Sequence, residues 1–268
     1  MPDVVDLTAV HIGRREDWLP WPIRLLGTHV LVAGVTGSGK GSVVWSLLCA
    51  VATSIRSGVV QVWAVDPKGS MELGLGRPLY ARFAHADYEE MVDLLDDAAE
   101  IMKDRATRLA GHVRQHIPTA VEPLIVVLID EVANLTAYLP ERDLRRRAEA
   151  ALALLLTQGR AVGVTVGAAL QAPRKEILNY RNLFPTKVAL RLDEADQVDL
   201  FLNKGSRDRG ARADEIPETS PGFGYVREDR STAIARVRAA HVTDAEIAQL
   251  AADYPAPGEH PPVDRRTV

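Results

Sequence analysis

An apolar run, Thr28-His-Val-Leu-Val-Ala33, leads into Gly34-Val-Thr-Gly-Ser-Gly-Lys-Gly41, and a further apolar stretch (Val43, Val44, Leu47, Leu48, Val51) follows. A buried strand that turns through closely spaced glycines into a helix is compatible with few folds, and the foremost is a phosphate-binding loop on an α/β sheet. In such a loop, successive backbone N–H groups and the helix N-terminus converge on one anion, and Lys40 adds a full positive charge. Gly34, Val35, Thr36, Gly37, Ser38, Gly39, Lys40, Gly41 and Ser42 are therefore the candidate nucleotide-binding residues. The usual loop places a Ser or Thr hydroxyl directly after the lysine to ligate the Mg2+ that travels with the nucleotide. Here Gly41 stands in that place and the first hydroxyl comes one residue later, so Ser42 or water must serve.

The rest of the chain alternates strand and helix patterns, as in a doubly wound sheet. Strands are predicted over 59–65, ending in Asp66-Pro67-Lys68, and near 82–84. The stripe of Met91, Leu94, Leu95, Ala98, Ile101, Met102 and Leu109 predicts a helix over 88–109. Leu124-Ile-Val-Val-Leu-Ile129 has no polar interruption, as expected of a strand covered on both faces. A helix over 144–158, strands over 164–170 and 187–192 and a short helix over 195–202 follow. Segments 222–226 and 233–237 form an antiparallel pair, and Thr243 with Glu246 forms a capping box for a last helix ending near Tyr254. The expected organisation is an N-terminal extension (1–27), one ATPase domain (28–254) and a disordered, proline-rich tail (255–268).

Composition narrows the class. A hydrophobic share of 47% with 25% charged residues is that of a globular chain, and no apolar run reaches the length of a membrane span. The N-terminus lacks a signal-peptide pattern, so a soluble, non-exported, cytoplasmic chain is expected. The single cysteine, Cys49, excludes an internal disulfide and a thiolate metal site. The net charge of −4 means that any nucleic-acid contact must come from a local basic surface.

Asp130 and Glu131 close the most apolar strand, at the sheet edge where α/β proteins bind ligands. Asp130 is placed to hold magnesium, and Glu131 to polarise a water for in-line attack on a γ-phosphate. Ninety positions separate Lys40 from Asp130, room for the additional strand of a RecA-like motor between the two motif strands. Gln171, at the end of the next strand, can sense the γ-phosphate or orient the water.

Taken together, Gly34-Val-Thr-Gly-Ser-Gly-Lys40, Asp66-Pro-Lys68, Ile129-Asp-Glu131, Gly159-Arg-Ala-Val-Gly163, Leu170-Gln171 and Phe184-Pro-Thr-Lys187 resemble, in order and spacing, the FtsK/SpoIIIE DNA-translocating ATPases. The resemblance spans about residues 28–240 and is similar in its compactness to actinobacterial members, including transfer proteins of conjugative plasmids and integrated elements. It implies a RecA-like P-loop NTPase fold with a mostly parallel sheet, helices on both faces and antiparallel C-terminal strands. It also implies a homo-oligomeric ring, a hexamer, that threads double-stranded DNA without sequence specificity and hydrolyses ATP with Mg2+ between subunits.

By the same resemblance Arg160 is the arginine finger, with Lys187 and Arg191 as alternatives. Arg174, Lys175 and Arg181 fall in the DNA-facing loop. A second DNA loop of the family corresponds to Asp193-Glu-Ala-Asp-Gln197, which is acidic here, with Lys204, Arg207 and Arg209 as possible replacements. Arg145, Arg146 and Arg147 read as a solvated helix face. The family's N-terminal membrane segment and C-terminal winged-helix module have no counterpart in these residues. Recruitment to a membrane or septum would then depend on a membrane-bound partner or on sequence outside them. Two other readings stay open: a ring ATPase that moves protein in a secretion system, and a nucleotide-binding scaffold without hydrolysis.

Overall fold

The strand over Leu124–Ile129 (β6) is buried at all six positions, and its side chains alternate between two separate cores. Ile125, Val127 and Ile129 join one core, whereas Leu124, Val126 and Leu128 join the other. That alternation is what a continuous apolar run becomes when helices cover both faces of a sheet. The computed structural model describes residues 5–174, 180–228, 231 and 233–258.

The strands, in chain order, are β1 (Val10–Arg15), β2 (Pro20–Ile23), β3 (Val30–Ala33), β4 (Val60–Val65), β5 (Tyr80–Ala84), β6, β7 (Val164–Leu170), β8 (Thr186–Ala189), β9 (Phe223–Arg227) and β10 (Ile234–Ala239). They form one sheet in the order β2-β1-β10-β9-β8-β3-β7-β6-β4-β5. From β8 to β5 every pairing is parallel, and from β8 to β2 every pairing is antiparallel. β7 lies between the phosphate-loop strand β3 and the carboxylate strand β6, so the expected additional strand is present.

Helix α1 (Lys40–Arg56) buries ten residues against one face of the sheet, in the core that also receives Val30, Val32 and the N-terminal strands. Helices α2 (Tyr88–Leu109) and α3 (Arg142–Gln158) cover the opposite face. Each fully buried Leu, Ile or Val contributes about 1.5–3 kcal/mol by leaving water. Asp87 caps α2 by accepting from Glu90 N at 2.8 Å, which fixes where the predicted helix begins. Arg147 is not a solvated arginine: it bridges α3 to α2 through Asp93 (2.6 Å) and Asp96 (2.7 Å). Helix α4 (Ala195–Leu202) matches its expected bounds, and α5 (Asp244–Asp253) has the full Thr243–Glu246 capping box.

Two further expectations change. Residues 10–23 are not a plain extension, because β1 and β2 form a hairpin that pairs with β10 and lengthens the sheet. The strand expected over 187–192 stops at Ala189; beyond it Leu192 N turns to Ala213 O at 3.1 Å, leaving the ladder. Among the described residues no helix is long and apolar enough to cross a membrane. The tail expected to be disordered falls, from residue 259 onward, outside the described residues.

Candidate active site

The phosphate loop begins where β3 ends and is tied to β7 and to the segment that follows β8. Gly34 N donates to Leu170 O at 3.0 Å, and Val35 N donates to Arg191 O at 3.0 Å. Gly37 (φ 75°) and Gly39 (φ 94°) adopt the left-handed backbone that only glycine enters without strain. Gly39 is under a second constraint, since a Cβ there would lie 2.8 Å from Gly222 Cα. Gly222, in the turn before β9, donates from its N to Ser38 O at 2.8 Å and so joins the antiparallel half of the sheet to the loop. Arg191 Nη2 donates to Thr36 O at 3.2 Å and its guanidinium pairs with Glu218 at 3.4 Å.

Lys40 Nζ donates to Gly34 O (2.7 Å) and Val35 O (3.2 Å), which holds the ammonium over the loop. Burial pushes its pKa down, helped by the Lys68 charge and opposed by Glu131, Asp130 and Glu72. These same groups form the rest of the site. Asp130 and Glu131 are 6% and 4% exposed at the end of β6. Lys68 Nζ lies 2.8 Å from Asp130 Oδ2 and 3.6 Å from Glu131 Oε2. Burial disfavours the Lys68 ammonium, but the Asp130 hydrogen bond and the charges of Asp130, Glu131 and Asp66 outweigh it and hold the pKa above the usual lysine value.

Glu131 is asymmetric in its contacts. Oε2 accepts from Gln171 N at 3.2 Å, whereas Oε1 is buried with no hydrogen-bond partner. Burial raises its pKa and the Lys68 and Lys40 charges pull it back. An unengaged carboxylate oxygen beside a phosphate cradle is the atom that can accept a hydrogen bond from an attacking water. Mg2+ with a nucleoside triphosphate fits this donor set, with the loop and Lys40 toward the phosphates and Asp130 toward the cation.

The loop after β4 brings in Glu72, which sequence reading missed. Asp66 is fully buried; its Oδ1 accepts from Lys68 N (3.0 Å) and its Oδ2 from Leu73 N (3.0 Å). This clasp fixes a loop that carries both Lys68 and Glu72 to the phosphate loop. Burial raises the Glu72 pKa, the Asp130 charge adds to the rise, and Lys68 and Lys40 oppose it. The available signal was Gly41 itself: a missing side chain implies that something else fills its place.

The structure brings Lys40, Asp130, Glu131 and the Gln171 backbone together and leaves other expected residues elsewhere. Ser42 stays beside the loop, in the first turn of α1 two residues after Lys40. Arg160 is exposed in the 3-10 turn Gly159–Val162, which precedes β7, so it lies at the opposite edge of the parallel strands. It lines a cleft of about 570 Å³ with Thr28, Thr186 and Glu228. Lys187 is 1% exposed and presents no ammonium to the surface; burial and the Arg227 and Arg181 charges lower its pKa to about 8. Arg174 is exposed past Gln171, and Arg181 sits in the short turn before β8. Lys175 lies outside the described residues. Arg207 is committed to Asp214 (2.9 Å) and Glu215 (3.0 Å).

A sequence model of the FtsK/SpoIIIE family matches residues 15–175. The DNA translocase FtsK of Mycobacterium tuberculosis (strain ATCC 25618 / H37Rv) is 30% identical over 246 residues, which cover 82% of this chain and 28% of that protein. That of Staphylococcus epidermidis (strain ATCC 12228 / FDA PCI 1200) is 23% identical over 258 residues, 89% of this chain and 31% of that protein. This chain thus spans about a third or less of the curated relatives it matches. Among solved structures, the cytoplasmic domain of the Thermomonospora curvata type VII secretion ATPase EccC superposes with a TM-score of 0.74 at 21% identity, over 98% of this chain and 33% of that one. The pCW3 conjugation coupling protein TcpA, with ATPγS, superposes at 0.69 and 20% identity, over 91% of this chain and 71% of that one. At these identities the two structures speak to the fold.

Proposed function

Because this chain belongs to the FtsK/SpoIIIE family, we propose that it is the ATP-hydrolysing motor unit of a double-stranded-DNA translocase that works as a homo-oligomeric ring, a hexamer. The observation that carries this reading is the cluster at the end of β3 and β6. Lys40 and the glycine loop receive phosphates, Asp130 faces the cation, and Glu131 Oε1 accepts the hydrogen bond of the attacking water. The Mg2+ nucleotide supplies the transferable phosphoryl group and the charge that neutralises it. Gln171 N holds Glu131 through Oε2, so its other oxygen keeps one orientation. Arg160, remote from this cluster, acts on the nucleotide of a neighbouring subunit. Arg174, Lys175 and Arg181 contact the DNA backbone, and a ring multiplies these few cations around the duplex. Cargo from a conjugative element or from a chromosome is equally compatible with such sequence-blind contact.

Transport of protein by a related ring is the second reading. It is favoured by the acidic Asp193, Glu194 and Asp196, and by Arg207 being committed to Asp214 and Glu215. ATP hydrolysis with and without long duplex DNA, in wild type and Lys40→Ala, separates the two. Stimulation by DNA that Lys40→Ala abolishes supports DNA translocation, and DNA binding should fall steeply with salt. Hydrolysis indifferent to DNA supports protein cargo.

A further inference from the structure

Gly41 is where the phosphate loop departs from its usual form, and another side chain stands in that place. A Cβ built on Gly41 would overlap Glu72 Oε1 and lie 3.2 Å from its Cδ and 3.7 Å from Oε2. The Glu72 carboxylate therefore occupies the volume a Ser or Thr side chain would take after Lys40. We propose that Glu72 supplies the metal-holding oxygen that Gly41 lacks, forming with Asp130 the carboxylate pair for the divalent cation of the bound nucleotide. The proposal rests on the reading of this cluster as a nucleotide-hydrolysing site.

The position of Glu72 is built into the fold. Leu73, its neighbour, is fully buried, its N donates to Asp66 Oδ2 at 3.0 Å and its O accepts from Tyr80 OH at 3.0 Å. The half-buried carboxylate feels Asp130, Lys68, Lys40 and Asp66. The local charge has the matching sign. Glu72, Asp130 and Glu131 gather around Lys40 and Lys68, and the buried Oε1 of Glu131 remains without a hydrogen bond. Such a site accepts a further positive charge. A hard divalent cation takes carboxylate oxygen at least as readily as hydroxyl oxygen. Ser42, the other candidate, lies one residue further along the first turn of α1 and does not occupy the place beside Gly41 that Glu72 fills.

The test measures metal affinity rather than turnover, with Mn2+ as an electron paramagnetic resonance probe, titrated into the full chain saturated with ADP. Glu72→Gln keeps the shape and removes the charge; Gly41→Ala keeps the charge and displaces the carboxylate. Each should weaken Mn2+ binding on the order of ten-fold, while ADP affinity of Glu72→Gln in EDTA stays within about two-fold of wild type. Adding Gly41→Ser to Glu72→Gln restores a hydroxyl to the usual place and should recover most of the lost affinity. Wild-type Mn2+ affinity in folded Glu72→Gln overturns the proposal, as does a loss of that size in Ser42→Ala alone. If the wild-type chain binds no ADP, the nucleotide-site reading itself falls, a result distinguishable from loss of the metal effect only.

Discussion

The two edges of the parallel strands are built on opposite plans. At the C-terminal edge, Lys40, Lys68, Glu72, Asp130 and Glu131 are wholly or partly buried and lean on one another. At the N-terminal edge, Arg160 is exposed at a cleft shared with Thr28, Thr186 and Glu228. The first edge is a polar site whose buried members interact with one another, and the second carries its arginine at the surface. A reaction needing both edges needs two copies set head to tail, which is a heterologous contact and closes into a ring when the rotation allows.

The largest expected effect tests that division directly. If the proposed function holds, Arg160→Ala should lower ATP hydrolysis by roughly three to five orders of magnitude without changing ATP affinity in the isolated subunit. A matching loss of ATP affinity would break the comparison, because Arg160 would then serve its own site. Glu131→Gln should cost roughly two to four orders of magnitude in hydrolysis with nucleotide still bound. Mixtures of the two variants should regain activity if the edges meet between subunits, and steady-state rates against mixing ratio report it.

Smaller effects sharpen the contrast in stability. Asp66→Ala removes the clasp of the C-terminal-edge loop and leaves two backbone N–H groups unpaired, so urea unfolding should show a loss of roughly 2–4 kcal/mol. At the other edge, His29 is fully buried beside the Gly159 turn, and its Nδ1 accepts from Val166 N at 3.0 Å. Burial first, then the Arg160 charge, lowers its pKa from 6.5 to about 3. Between those values the unfolded chain takes up a proton that the native one refuses. Stability is therefore unaffected above about pH 6.5 and falls as pH drops toward 3, by up to about 1.4 kcal/mol per pH unit. His29→Asn, which keeps an acceptor, should flatten this slope in urea titrations at pH 7 and pH 5; an unchanged slope would show that the edge does not hold a neutral imidazole.

The parts that could be read from sequence are those whose cause is local. The phosphate loop is a short pattern with one mechanical purpose, the bounds of α2 follow from its apolar stripe, and β6 announces itself by lacking polar residues. The hairpin β1–β2 stayed hidden because Pro20 and Pro22 argue against a strand, and its partner β10 lies more than two hundred residues away. Glu72 stayed hidden for a similar reason: nothing in Met71-Glu-Leu-Gly74 marks a site, and only the return of the chain beside Gly41 gives it one. Lys187 misled in the other direction. Its place in Pro-Thr-Lys suggests a reaching cation, but its position in β8 puts it indoors, where Arg227 and Arg181 lower its pKa. Arg147 needed a neighbouring helix to become a bridge.

The contact between Gly39 and Gly222 sets a limit on how this domain can be taken apart. Each glycine is in the left-handed region, and the two backbones approach too closely for a side chain on Gly39. Gly222 also accepts from Ala239 N at 3.0 Å, so the link runs on into β10. The antiparallel ribbon is thus not a detachable module. A chimera that exchanges β9 and β10 for those of another protein inherits a phosphate loop cut to a different template, and must bring its own loop with it.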